Sequence, residues 1–169
     1  MLNYVSKQPD TTKAIGLESI AAAGSFGLLS TYHAISGTVG KLSYYAYYSK
    51  RVSDGYRDNS QTDYDAQGLI VRYQPTRALK VSAELARSNY IYQIPGPLTD
   101  SLFRVNPRLA TRSRSYFNPD IYVPSLTVDY QVSGNTQLQG TTSALLGNRN
   151  SVQFDKPANV PDRIDAQTL

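Results

Sequence analysis

Four arginines, Arg104, Arg108, Arg112 and Arg114, lie between Ser101 and Pro119 with no aspartate or glutamate among them. A guanidinium is a planar fork of donors that can grip two oxygens of a carboxylate or phosphate at once. Several of them on one segment suit capture of an anionic ligand. Arg112 and Arg114 share a strand-like parity, so the spacing predicts that they present their forks to one side. The competing reading is a solvated loop whose arginines meet surface phosphates or neighbouring acids such as Asp100 and Asp120.

Beyond binding, the chain offers no chemistry. It has no cysteine, which removes disulfides, thiolate nucleophiles and Cys-based metal sites. His33 is the sole histidine, with no second His or carboxylate at ligand spacing, so no metal centre is expected. No Ser/His/Asp constellation, P-loop or glycine-rich phosphate cradle is present, and Asp63 and Asp65 read as loop acids. The expectation is a protein without cofactor that is not an enzyme. The net charge of +4 comes from scattered Lys and Arg, whereas nucleic-acid binding needs a concentrated basic face, so no nucleic-acid partner is expected.

The elements that must position those arginines read as strands. Residues 78–86 alternate Leu79, Val81, Ala83 and Leu85 against Lys80, Ser82 and Glu84. Residues 126–132 place Leu126, Val128, Tyr130 and Val132 opposite Thr127, Asp129 and Gln131. Residues 42–50 alternate in the same way, and 69–73, 137–146, 14–23 and 28–35 follow more weakly. The alanine-rich run 17–23 is compatible with a short helix as well. Tyrosine is over-represented, at 14 of 169 residues with no tryptophan, which suits half-buried strand surfaces and membrane–water interfaces. Tyr44, Tyr48, Tyr73 and Tyr130 share the apolar parity of their strands. Tyr90, Tyr92, Tyr116 and Tyr122 flank the arginine segment and fit either an interfacial girdle or ligand stacking.

The connections sort into two kinds. Residues 36–41, 74–77 and 133–136 are tight and carry Gly37, Gly40, Pro75, Gly134 and Asn135. Residues 53–64, 92–120 and 147–169 are long and polar, and only 24–27 is short where a long one is due. Short turns at one end and long loops at the other are the pattern of an outer-membrane barrel, with its long loops extracellular. The fold expected is all-β, an antiparallel transmembrane barrel fragment of about seven strands, open and curved if isolated. Glu18, Lys80, Glu84 and Asp129 then face the lumen. Met1 to Val5 carry no cationic start, apolar region or cleavage site, and seven strands break the even-number rule, so a longer barrel is expected. Two rivals have other architectures: a soluble β-rich binding or adhesive domain, and a simple diffusion porin.

Several runs carry a family resemblance. Met1-Leu2-Asn3-Tyr4-Val5-Ser6-Lys7-Gln8-Pro9 resembles the last plug strand of TonB-dependent receptors. Ala23-Gly24-Ser25-Phe26-Gly27 is similar to the hairpin after their first barrel strand, and Ser53-Asp54-Gly55-Tyr56-Arg57-Asp58-Asn59 to their second extracellular loop. Tyr64 and Tyr73-Gln74-Pro75-Thr76 follow in the same order. Pro95-Gly96-Pro97-Leu98-Thr99-Asp100 and Ala110-Thr111-Arg112-Ser113-Arg114-Ser115-Tyr116-Phe117 resemble the ferric-dicitrate branch. The resemblance implies residues 1–13 as the end of a plug and its linker, and 14–169 as the first part of a barrel of about 22 strands. It implies a ferric chelate as ligand, the TonB complex as partner through a plug, and outer-membrane lipid and lipopolysaccharide around the barrel.

Overall fold

Period-two alternation becomes one antiparallel sheet in the computed structural model, which describes residues 7–160 and 162. The expected plug strand therefore lies outside the described residues for positions 1–6. The sheet runs β1 (Gly16–Gly24), β2 (Leu28–Val39), β3 (Leu42–Ser53), β4 (Thr62–Tyr73), β5 (Leu79–Gln93), β6 (Tyr116–Ser133), β7 (Thr136–Ser143) and β8 (Leu146–Val152). Each strand pairs with the next through β7, while β8 pairs with β6, and the sheet is open rather than closed.

Two departures from expectation have local causes. Eight strands are described, not seven, because the seventh row is cut in two. Ser125 pairs with Ser143 and Tyr122 with Leu146, so β7 and β8 continue in one register along β6. The break at Ala144 and Leu145 lies beside Pro124, whose nitrogen has no hydrogen to donate to the ladder, though its carbonyl still accepts from Ala144 N at 3.1 Å. Residues expected to open a long loop at 147 are thus strand as far as Val152. The alanine-rich run, for its part, is strand β1 and not helix. The one helix among the described residues, α1 (Asp100–Val105), lies in the long loop, where Thr99 Oγ1 caps it by accepting from Leu102 N at 3.3 Å.

Register fixes the two faces. Leu79 stands opposite Tyr130, Val81 opposite Val128 and Ala83 opposite Leu126, so these side chains share a face. Tyr44 opposite Val71 and Tyr73 opposite Val81 put both tyrosines on it too. Much of this face is bare: Leu17, Leu69, Leu85, Leu126, Tyr130 and Val132 are all exposed. On β6 the apolar run from Tyr122 to Val132 covers ten steps, about 34 Å along the strand, or ~26 Å of height at a tilt near 40°. The other face carries Glu18, Ser43, Ser82, Glu84, Thr127 and Asp129, and buries Ala34, Tyr45 and Ile70 in a small cluster with Tyr32 and Tyr47. A cavity across β4 to β7, lined by Ile70, Arg72, Lys80, Glu84 and Asp129 among others, marks this face as the concave one.

The two kinds of connection separate by end. At the tight end Gln74 N donates to Lys41 O (2.9 Å) and Gln131 N to Ala78 O (2.8 Å), tying the turns together. At the other end the 24–28 hairpin, the 54–61 loop and the 94–115 loop touch: Asp54 N donates to Phe26 O at 2.8 Å and Asp58 N to Arg108 O at 2.9 Å. Residues 7–10 lie against the concave face before β1. Thr38 Oγ1 donates there to Asp10 O (2.8 Å) and Lys7 pairs with Glu18, while on the convex side of the sheet edge Tyr44 Oη donates to Ala14 O (2.9 Å). Gly37 permits this approach, since a Cβ there would stand 2.1 Å from Ala14 O. No described helix is long and apolar enough to cross a membrane.

Candidate functional site

The loop end is held by polar side chains that bind backbone, the usual answer to a long loop with few ladder bonds of its own. Arg57 donates through Nη1 to Gly96 O (2.7 Å) and through Nη2 to Leu109 O (2.7 Å), crossing from the 54–61 loop into the 94–115 loop. Asn59, at φ 48°, donates through Nδ2 to Arg112 O (2.7 Å) and Ile94 O (3.2 Å). Left-handed backbone is tolerated best by Gly and Asn, which explains this residue at this bend.

The four sequence-predicted arginines go to four different environments. Arg112 is buried, at 2% exposure, and its guanidinium donates to the carbonyls of Thr111, Phe154, Lys156, Pro157 and Val160. Its fork is therefore filled by backbone. Arg114 is half-exposed and pairs with Asp162, whose carboxyl is held below the usual carboxylate range by that hydrogen bond. Arg108 donates to Tyr56 O (3.1 Å) and stacks 5.8 Å from the Tyr56 ring centroid. Arg104 is exposed on the last turn of α1. Arg112 and Arg114 both turn to residues 154–162, and their forks are occupied there by backbone carbonyls and by the Asp162 carboxylate.

A 710 Å³ cavity opens beside α1, lined by Thr99, Ser101, Leu102, Leu109, Thr111 and Asp162 among others. None of the four arginines lines it. On the convex face the apolar belt ends at a band of ion pairs. Lys50 pairs with Asp63 and Asp65, and Arg87 grips Asp120 with two bonds of 2.9 Å each. His33 shares that face, its Nδ1 and Ser19 Oγ joined by a 2.9 Å hydrogen bond. On the concave face Lys80 pairs with Asp129 at 3.0 Å.

Sequence reasoning missed Arg57 and Asn59, which hold the loops, and Arg51 and Arg149, which register places on the concave face at the loop end. The signal available for the last two was their parity with Tyr64 and Pro119, once the strands were extended far enough.

No family model and no curated protein matches the sequence. In fold the chain is similar to the crystal structure of the ferric citrate transporter FecA in its unliganded form, with a TM-score of 0.65 and 20% identity. The match covers 83% of this chain and 22% of that one, so the chain spans about a fifth of the length of the transporter it matches. The molecule is thus an open antiparallel sheet with the fold of part of a barrel wall. The solved structure belongs to the TonB-dependent receptor class that the sequence runs resemble.

Proposed function

We propose that the chain forms part of the wall of an outer-membrane receptor that binds a ferric chelate and admits it under TonB-coupled energy. The observation that carries this reading is the convex face: an apolar belt about as tall as a barrel's lipid-facing band, closed at the loop end by the Lys50/Asp63/Asp65 and Arg87/Asp120 pairs. Lipid is the partner such a belt lacks, and lipopolysaccharide headgroups suit the charged band above it. The loops would face the exterior, with Arg104 and the exposed part of Arg108 as first contacts for an anionic chelate. Residues 7–10, laid against the concave face, suit a chain entering from a plug inside the barrel, which favours a gated receptor over a diffusion porin. No covalent chemistry is involved; binding and passage are the whole mechanism.

The test expresses the complete gene product and follows two readouts. The protein should stay with outer membranes after carbonate washing, and cells should accumulate iron supplied as a chelate only when TonB is intact. Recovery in the wash supernatant would support the soluble β-rich domain instead, and TonB-independent entry would support the porin.

A further inference from the structure

We infer that the concave face at the tight end, opposite the long loops, holds an oxyanion-binding site that takes a compact phosphate- or carboxylate-bearing group. A 630 Å³ cavity opens there between the wall of the sheet and the segment that leads into β1. Lys41 comes from the β2–β3 turn, Arg72 from β4, Arg77 from the β4–β5 turn and Lys80 from β5, while Pro9 and Thr11 of the leading segment close one side. No acid lines this cavity. An anion held in it would bridge the wall and the leading segment. The site goes beyond the receptor reading and does not depend on it, since a soluble β-rich domain with this sheet would present the same cavity.

Cations beside turns are ordinarily solvated, and Arg77, exposed on its turn, would be one of them if it stood alone. Arg72 sets the cluster apart. It is partly buried, and its Nε is covered and finds no acceptor among the described residues. A buried donor without a partner is rare enough in folded proteins to need a cause. Its row of the sheet explains the gap. Thr38, Ser43, Arg72, Ser82 and Thr127 stand in register, so the cross-strand neighbours of Arg72 carry hydroxyls and not carboxylates.

Charge balance points the same way. Lys80 has a counter-ion, Asp129 at 3.0 Å, and that carboxylate also accepts from Gln139 at 2.6 Å. Lys41 donates to the Pro75 carbonyl, and neither it nor Arg72 nor Arg77 joins an ion pair among the described residues. Three unpaired cations therefore line one cavity whose remaining polar lining is hydroxyl and amide. Converging donors of this kind hold an oxyanion through charge-assisted bonds, Arg by its planar fork and Lys as a point charge. Phosphates and carboxylates share that chemistry, so two sources suit the site: a free anion, or a carboxylate side chain from a part of the complete gene product beyond these 169 residues.

The experiment titrates inorganic pyrophosphate into the purified complete gene product by calorimetry, at low and moderate salt. Arg149→Gln, at the far end of the sheet, controls for net charge, and Arg77→Gln, on an exposed turn, serves where Arg72→Gln does not fold. With a free anion as occupant, the parent binds pyrophosphate and affinity falls as salt rises. Arg72→Gln then weakens binding roughly tenfold or more, Arg77→Gln several-fold, and Arg149→Gln by less than about twofold. With a carboxylate of the protein's own as occupant, the parent binds no added anion. A water-soluble carbodiimide then joins position 72 of the Arg72→Lys variant to an aspartate or glutamate outside residues 1–169, identified by mass spectrometry. Pyrophosphate binding that both cavity Gln variants leave unchanged would overturn the inference as non-specific attraction. So would a parent that binds no anion and whose Arg72→Lys variant cross-links to nothing beyond these residues. Neither result bears on iron uptake, so the receptor reading stands or falls separately.

Discussion

The Arg112 guanidinium lies 4.7 Å from the centre of the Phe154 ring while its Nε donates to the Phe154 carbonyl at 3.0 Å. One side chain therefore clamps the 94–115 loop to the segment that leaves β8. Truncation to alanine strips several carbonyls of a charged donor, each bond contributing about 1.5–3 kcal/mol. We expect Arg112→Ala to loosen both segments by roughly 3–5 kcal/mol in total, the scale for removing a buried charged partner. Chymotryptic cleavage of the loop should accelerate sharply while the rest of the sheet stays resistant. An unchanged cleavage pattern would show that the clamp is dispensable.

Val81 stands opposite Val128 on the bare face. If that face meets lipid, Val81→Arg should cost roughly 2–4 kcal/mol near the bilayer midplane. Ser82→Arg, one residue away on the concave face, should cost far less, because a one-residue step reverses the side. Urea unfolding of the complete gene product from lipid vesicles measures both. Equal penalties would argue against lipid on the convex side.

Gly68 sits directly across from Tyr47, and a Cβ there would stand 2.2 Å from Tyr47 Cε1. The ring lies over the glycine, an arrangement that restores contact where the strand has no side chain. Gly68→Val should evict the ring and cost about 1–3 kcal/mol by overpacking. Gly68→Val combined with Tyr47→Ala should recover part of the loss, which a double-mutant cycle in the same urea assay would read.

The Arg114–Asp162 pair gives a pH dependence of known sign. Because the Asp162 carboxyl is held below its ordinary value of 3.8, its contribution is present above that value and lost as pH falls through the lowered one. Proteolytic resistance of the loop should be flat from neutral pH down to about 4 and fall only below it. Asp162→Asn should lower the resistance at neutral pH and flatten the acid response. A loss of protection already complete at about pH 5 would mean that another group governs the loop.

Side-chain alternation was enough to define the faces. A period of two admits one arrangement of Leu79, Val81, Ala83 and Leu85, and the same parity placed Tyr44, Tyr73 and Tyr130 beside them. Turn residues set the tight end, since Gly40 at φ 61° and the Gly134–Asn135 pair encode local reversals. The extent of β5 and β6 was less legible, because Tyr92, Tyr116 and Asp120 look polar enough for loop until pairing satisfies their backbone.

What the arginines do was decided by tertiary structure alone. Arg112 and Arg114 are two residues apart and chemically alike, yet one is buried among five carbonyls and the other faces a single carboxylate. Apart from the adjacent Thr111 carbonyl, the partners come from residues 154 to 162, some 40 or more positions along the chain, and nothing in local periodicity reports them. Arg51 and Arg149 gained their places beside Tyr64 and Phe117 in the same way, through the register of strands far apart in sequence. Alternation is a short-range consequence of backbone geometry and is written locally. The fate of a guanidinium depends on which distant carbonyls or rings the fold brings within reach.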